Sequence, residues 1–146
     1  PFGLRKMILM VQKEAADRLV WAKPGKNRSP LGATLQRMGS VKRLFDVPPT
    51  AFNPPPRVDS TVIAVSLSNS LGLAVDPLWR ELLRRSFSQR RKTLFNNLKG
   101  WEILNASQWE SFMNALGFRD QIRAEELSGE NWEDCRKELE KVKGGF

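Results

Sequence analysis

"SVKRLFDVPPTAFNPPPRVDSTVIAVSLS" (residues 40–68) is the stretch whose reading decides the fold. Its last nine residues, 60–68, alternate Val62, Ala64 and Ser66 against Ile63, Val65 and Leu67, the two-residue period of a strand. Residues 40–48 read as a second strand through Val41, Leu44, Phe45 and Val47, although their alternation is imperfect. Between the two, "AFNPPPRVDS" (51–60) sets a phenylalanine just ahead of three consecutive prolines. Proline fixes its own φ and pushes the preceding residue to extended geometry, so residues 53–56 follow a stiff path poor in hydrogen bonds. Phe52 is thereby held at low entropic cost. Two readings of it stand side by side: a plug at the bottom of the core, or a rigid aromatic that stacks on an unstacked base.

Upstream, "KMILMV" (6–11) has the apolar density of a strand buried on both faces, as in a parallel sheet covered by helices. "QKEAADRLVWA" (12–22) has helical spacing that sets Ala15, Leu19 and Ala22 on one face and stops before Pro24 and Gly25. "SPLGATLQRMG" (29–39) predicts a second helix with Ser29 as N-cap, Pro30 at the first helical position and Gly39 at its end. Strand, helix, helix, strand, loop, strand is the closing part of an α/β sheet. Lys13, Glu14, Asp17 and Arg18 fall at helical spacing and read as surface ion pairing.

Downstream, "NSLGLAVDP" (69–77) is polar and glycine-containing and marks a boundary near residue 72; beyond it the pattern is helical. Asp76 and Pro77 open a helix that buries Trp79, Leu82, Leu83 and Phe87. "RRKTLFNNLKG" (90–100) reads as another, ended by Gly100, with Leu94 and Leu98 four apart. "SQWESFMNALG" (107–117) has a serine cap and the apolar set Trp109, Phe112, Met113 and Leu116. "SGENWEDCRKELEKVKGG" (128–145) makes the last helix, with Trp132, Cys135 and Leu139 facing inward.

Charge divides unevenly over the 146 residues. Residues 1–50 hold ten Lys/Arg against three acids, 51–100 eight against three, and 101–146 six against ten. A chain whose first two thirds are this basic attracts polyanions, nucleic acid above all, because neutralised phosphates release their counterions. Arg84, Arg85, Arg90, Arg91 and Lys92 concentrate that charge near Asn96 and Asn97. Guanidiniums grip phosphates bidentately and amides reach sugar hydroxyls and base edges. Arg80, Arg84 and Arg91 share one side if a single helix runs through the segment; a solvated face paired with the acidic last third is the competing reading. Cys135 is the only cysteine and there is no histidine, which excludes a disulfide framework and a zinc site and removes the commonest general base. No apolar run approaches the roughly 18 residues of a membrane span and no signal-peptide pattern opens the chain, so it reads as soluble and cytoplasmic, with no membrane partner.

Four stretches in order, "MVQKEAADRL" (10–19), "VPPTAFNPPPRVDSTV" (47–62), "LLRRSFSQRRKTLFNNL" (82–98) and "RAEELS" (123–128), resemble the small-subunit ribosomal RNA adenine-N6,N6-dimethyltransferase family (KsgA type). The resemblance runs from about Met7 to about Trp132. It implies an α/β fold in which residues 1–71 are the last strands and helices of a Rossmann-like class I methyltransferase sheet, the strand at 60–68 antiparallel, and residues 72–146 are a helical C-terminal domain that binds rRNA. The parent enzyme of such a family dimethylates two adjacent adenosines near the 3′ end of small-subunit rRNA, uses S-adenosylmethionine, and acts as a checkpoint on the immature small ribosomal subunit. By the same resemblance Phe52 matches the aromatic that stacks on the flipped target adenine. Arg90, Arg91 and Lys92 match a basic triplet that contacts rRNA, with Arg84 and Arg85 beside it, and Arg57 a backbone contact.

The family's glycine-rich cofactor loop, acidic ribose ligand and Asn-Leu-Pro-Tyr tetrapeptide match nothing here, so this chain on its own is expected to bind no cofactor and to be inactive. "KNRSPLGAT" (26–34) also departs from the family, which commonly has Tyr-Gly before the leucine. The rival readings are a large-subunit rRNA adenine methyltransferase of the macrolide-resistance type and a non-catalytic RNA-binding or ribosome assembly factor of the same fold. Open strand edges make self-association a further expectation.

Overall fold

A computed structural model describes residues 3–21, 28–68 and 76–144. They form two compact units, one made of the described residues up to 68 and the other of those from 76 onward. The boundary expected near residue 72 and the inward position expected of Ala22 lie outside the described residues.

The first unit is built on a three-stranded sheet of β1 (Lys6–Gln12), β2 (Gly39–Val47) and β3 (Ser60–Leu67). The strand order is β1-β3-β2, and β3 is antiparallel to both neighbours. β1 and β2 therefore run parallel to each other with β3 between them. Their carboxyl ends meet at one end of the sheet, where Gln12 and Val47 both pair with Ser60. The alternation of β3 puts Ile63 and Val65 inward, and both are wholly buried. Together with Val41 and Ala16 they make the core, onto which Met7, Val11, Leu19, Leu35 and Leu67 pack.

Two helices cover that face: α1 (Lys13–Leu19) and α2 (Pro30–Met38). α1 turns inward on Ala16 rather than on Ala15, and it stops at Leu19 because Val20 takes up an extended conformation. α2 begins as its sequence predicts, with the Ser29 hydroxyl accepting from the Gly32 N–H at 3.2 Å and Pro30 in the first turn. The second face of the sheet contradicts the expectation that residues 6–11 are buried on both sides. Ile8 and Met10 are 57% and 53% exposed, and Phe45 of β2 is 58% exposed. Within this unit β1 is an edge strand with helices on one face alone.

The second unit contains α3 (Pro77–Ser86), α4 (Leu94–Leu98), α5 (Ala106–Ala115) and α6 (Gly129–Gly144). Trp79, Trp109 and Trp132 are all fully buried and anchor its core, with Leu82, Leu94, Leu98, Phe112, Cys135 and Leu139 around them. Phe87 stacks on Trp132 with ring centroids 5.4 Å apart, and Trp109 meets Phe112 edge-on at 5.3 Å. Asp76 caps α3, its carboxylate accepting from the N–H groups of Leu78 and Trp79, and also accepts from Arg136 Nε of α6 at 2.8 Å. α5 is capped by Asn105 and not by Ser107: Asn105 and Gln108 form a reciprocal capping box two residues earlier than the serine predicts. Residues 87–93 are a turn, so no continuous helix carries Arg80, Arg84 and Arg91 on one side.

Candidate nucleic-acid interface

In open α/β sheets, ligands bind beyond the carboxyl ends of the parallel strands. At that end of this sheet, β2 runs out into Pro48 and a short 3-10 turn, Pro49–Ala51, which the sequence did not announce. The turn is closed by the Ala51 N–H donating to the Pro48 carbonyl at 3.1 Å and the Phe52 N–H to the Pro49 carbonyl at 3.1 Å. Phe52 follows in an extended conformation and is half-buried, outside the buried core of the unit. Residues 53–59 are exposed throughout, and the bond between Asn53 and Pro54 is cis. Arg57 is among them, with its side chain at the surface. The segment returns to the sheet where the Lys13 N–H donates to the Asp59 carbonyl at 3.0 Å.

Beneath this segment the charges of α1 pair across to β2 and not along their own helix. Asp17 pairs with Arg43, and Lys13 Nζ lies 3.9 Å from Asp46 Oδ2. Asp46 also accepts from the Thr61 hydroxyl at 2.7 Å. That hydrogen bond, with Lys13 and Arg43 nearby, holds the Asp46 carboxyl below its ordinary range against the opposing effect of burial. A recess of 240 Å³ lies next to these residues, lined by Gln12, Lys13, Glu14, Asp17, Val58 and Asp59. Val58 is its one aliphatic side chain, so this lining does not fit the adenine ring of S-adenosylmethionine, which needs an apolar slot. No step of chemistry is assigned to the cofactor through the residues described.

In the helical unit the basic residues separate into two groups. Glu81 accepts from Arg84 Nε and Nη2 at 2.9 and 2.6 Å and from Arg85 Nε at 2.6 Å. The Arg85 guanidinium also lies over the Trp101 ring, 5.3 Å from its centroid. Hydrogen bonds from Arg84 and then Arg85 hold the Glu81 carboxyl at about 2, below its usual 4.5. Arg90, Arg91 and Lys92 sit one turn further on, all exposed, and line an open recess of 560 Å³ with Gln89.

Asn97, expected as a donor to RNA, is used inside the protein. Its amide donates to the Ser86 and Gln89 carbonyls at 3.0 and 3.1 Å and its oxygen accepts from the Ser88 hydroxyl at 3.2 Å. It staples the turn that carries the triplet. The signal for this role was available in the spacing, because an asparagine one turn into α4 faces back over the residues that precede it. Asn96 remains exposed. Among the described residues no cluster of three or more His, Cys, Asp or Glu could hold a metal ion, and no helix is long and apolar enough to cross a membrane.

Two solved structures share this arrangement. A dimethyladenosine transferase from Plasmodium falciparum superposes with a TM-score of 0.72 at 24% identity, over 94% of this chain and 58% of that one. The 23S rRNA methyltransferase ErmE superposes with a TM-score of 0.66 at 15% identity, over 93% and 55%. The fold is thus that of the Rossmann-like rRNA methyltransferases. Sequence then narrows the class: residues 1–141 match the ribosomal RNA adenine dimethylase family, and the chain belongs to that family. It is 40% identical over 138 residues to ribosomal RNA small subunit methyltransferase A of Koribacter versatilis, covering 92% of this chain and 47% of the relative. It is 41% identical over 127 residues to the protein of the same name from Desulfitobacterium hafniense, with coverage of 86% and 46%. The chain spans about half the length of these curated relatives.

Proposed function

We propose that this chain is the RNA-holding C-terminal part of a small-subunit rRNA adenine-N6,N6-dimethyltransferase that uses S-adenosylmethionine and acts on the immature small ribosomal subunit in the cytoplasm. One observation carries the reading: a family match over residues 1–141 coincides with a half-buried aromatic on a proline-stiffened segment beyond the carboxyl ends of two parallel strands. Phe52 stacks on the extruded target adenine. Extrusion costs a few kcal/mol of lost stacking and pairing, and an aromatic face offsets part of it. Arg90, Arg91 and Lys92 grip phosphates, and Arg57 adds a backbone contact next to the target. Arg84 and Arg85 contribute positive potential, although Glu81 and Trp101 already engage them. Residues 72–146 act as the rRNA-binding domain, and residues 1–71 as the closing part of the catalytic one. The 146-residue chain on its own transfers no methyl group.

The test incubates the intact natural protein with small subunits that lack these methyl groups and with labelled S-adenosylmethionine. N6,N6-dimethyladenosine at two adjacent positions of the small-subunit rRNA is the expected product. Label on large-subunit rRNA, or binding without transfer, contradicts the proposal in favour of one of the rival readings.

A further inference from the structure

The loop that carries Phe52 is closed at its base by a polar clasp that depends on a β-bulge. In β2, Arg43 faces Ile63 of β3 and Phe45 faces Val62, which leaves Leu44 as an extra residue. Side chains three apart on a regular strand point to opposite faces; one inserted residue brings them to the same face. The bulge therefore puts Arg43 and Asp46 together on the face that also carries Thr61 and α1. It also explains the imperfect alternation of residues 40–48, with Leu44 and Phe45 both exposed.

Asp46 is the register partner of Thr61, and Val47 of Ser60, so this pair is where the two strands part to form the loop at 48–59. Thr61 is wholly buried. Its hydroxyl donates to Asp46 Oδ1 at 2.7 Å and accepts from Arg43 Nη1 at 3.1 Å. Arg43 Nη1 also donates to Asp46 Oδ1 at 3.3 Å, while its other nitrogen, Nη2, pairs with Asp17 of α1. β2, β3 and α1 are thus locked together two residues before Pro48. Such half-exposed ion pairs contribute little to global stability. Valine at position 61 would fill the same volume in the strand, and Arg43 and Asp46, with side chains 33% and 46% exposed, would recover water. What a valine cannot do is fix the direction in which the chain leaves β2.

We propose that Arg43, Asp46 and Thr61 are positioning residues, a clasp that sets the angle at which the 48–59 loop presents Phe52 to its target. The inference rests on the reading of Phe52 as the stacking aromatic, and its test separates the two. In the intact protein, Thr61→Val lowers turnover about tenfold, as expected when a reacting group is held off its geometry, with the half-saturating concentration of small subunits unchanged. Thr61→Ser, which keeps the hydroxyl, restores turnover. A nitroxide attached at Phe52→Cys in the intact protein, where Cys135 is buried, reports the same loop without any methyl transfer. Thr61→Val narrows its spectral lines and Thr61→Ser leaves them as they are. Identical spectra and identical turnover for valine and serine overturn the clasp. A nitroxide that responds to Thr61→Val while Phe52→Ala retains full turnover overturns the stacking role instead, and with it the clasp's part in the reaction.

Discussion

Glu81 decides how much of the basic surface can turn to a ligand. Its carboxylate draws Arg84 and Arg85 onto one acceptor, so both are occupied before any phosphate arrives. Because the folded carboxyl sits at about 2 and the unfolded one near 4.5, this pairing favours the folded state above about pH 4.5 and is lost as pH falls towards 2. A carbon-detected NMR titration of Glu81 is expected to give a midpoint near 2; a midpoint near 4.5 contradicts the pairing. Phe52 shows the limit of reasoning from single residues. The proline run made its rigidity legible, but whether it faces core or solvent depends on where the strands end, which residues 51–60 do not contain. Asp76 was legible in full as a cap, whereas its partner Arg136 lies 60 residues away and has no local signature.

Elements were legible where a local rule is strong, and a contact across elements adds what the local rule does not hold. Gly39 ends α2 as its sequence predicts, but with a φ of 173° it is ordinary extended backbone and not a left-handed cap. It is glycine because a Cβ there would lie 1.7 Å from the Ser66 carbonyl oxygen of β3. Gly39→Ala should lower stability by roughly 2 kcal/mol or more, while Gly100→Ala, with nothing within 4 Å, should change it by less than about 0.5 kcal/mol. Denaturant midpoints check both, and equal midpoints contradict the strand contact. In the helical unit two helices meeting at the basic triplet were legible, but not the length of the break: residues 87–93 are a turn, and α4 begins at Leu94 rather than at Arg90. Asn97→Ala removes the staple across that turn. It is expected to cost about 1 kcal/mol of stability and to weaken RNA binding, although Asn97 is committed to the protein's own backbone. Unchanged affinity in a filter-binding assay would argue that the triplet needs no preset geometry.

For the whole molecule, the order of elements was readable because alternation, caps and proline placement agreed with one another, whereas the antiparallel direction of β3 followed from the family resemblance alone. Burial was not readable: the sequence of β1 asks for cover on two faces, and this chain supplies helices to one. The charge asymmetry of the chain also has a measurable counterpart. Replacing Arg90, Arg91 and Lys92 with glutamate should flatten the slope of log affinity against log salt for small subunits by about 2; an unchanged slope contradicts the phosphate role of the triplet. The central claim is that the proline-stiffened segment exists to hold an aromatic against a base taken out of its stack. Its most direct test is Phe52→Ala in the intact protein, with methyl transfer and small-subunit affinity measured side by side. Stacking on the flipped adenine predicts that turnover falls at least about tenfold while affinity stays within about threefold. Loss of both in equal measure, or of neither, contradicts it.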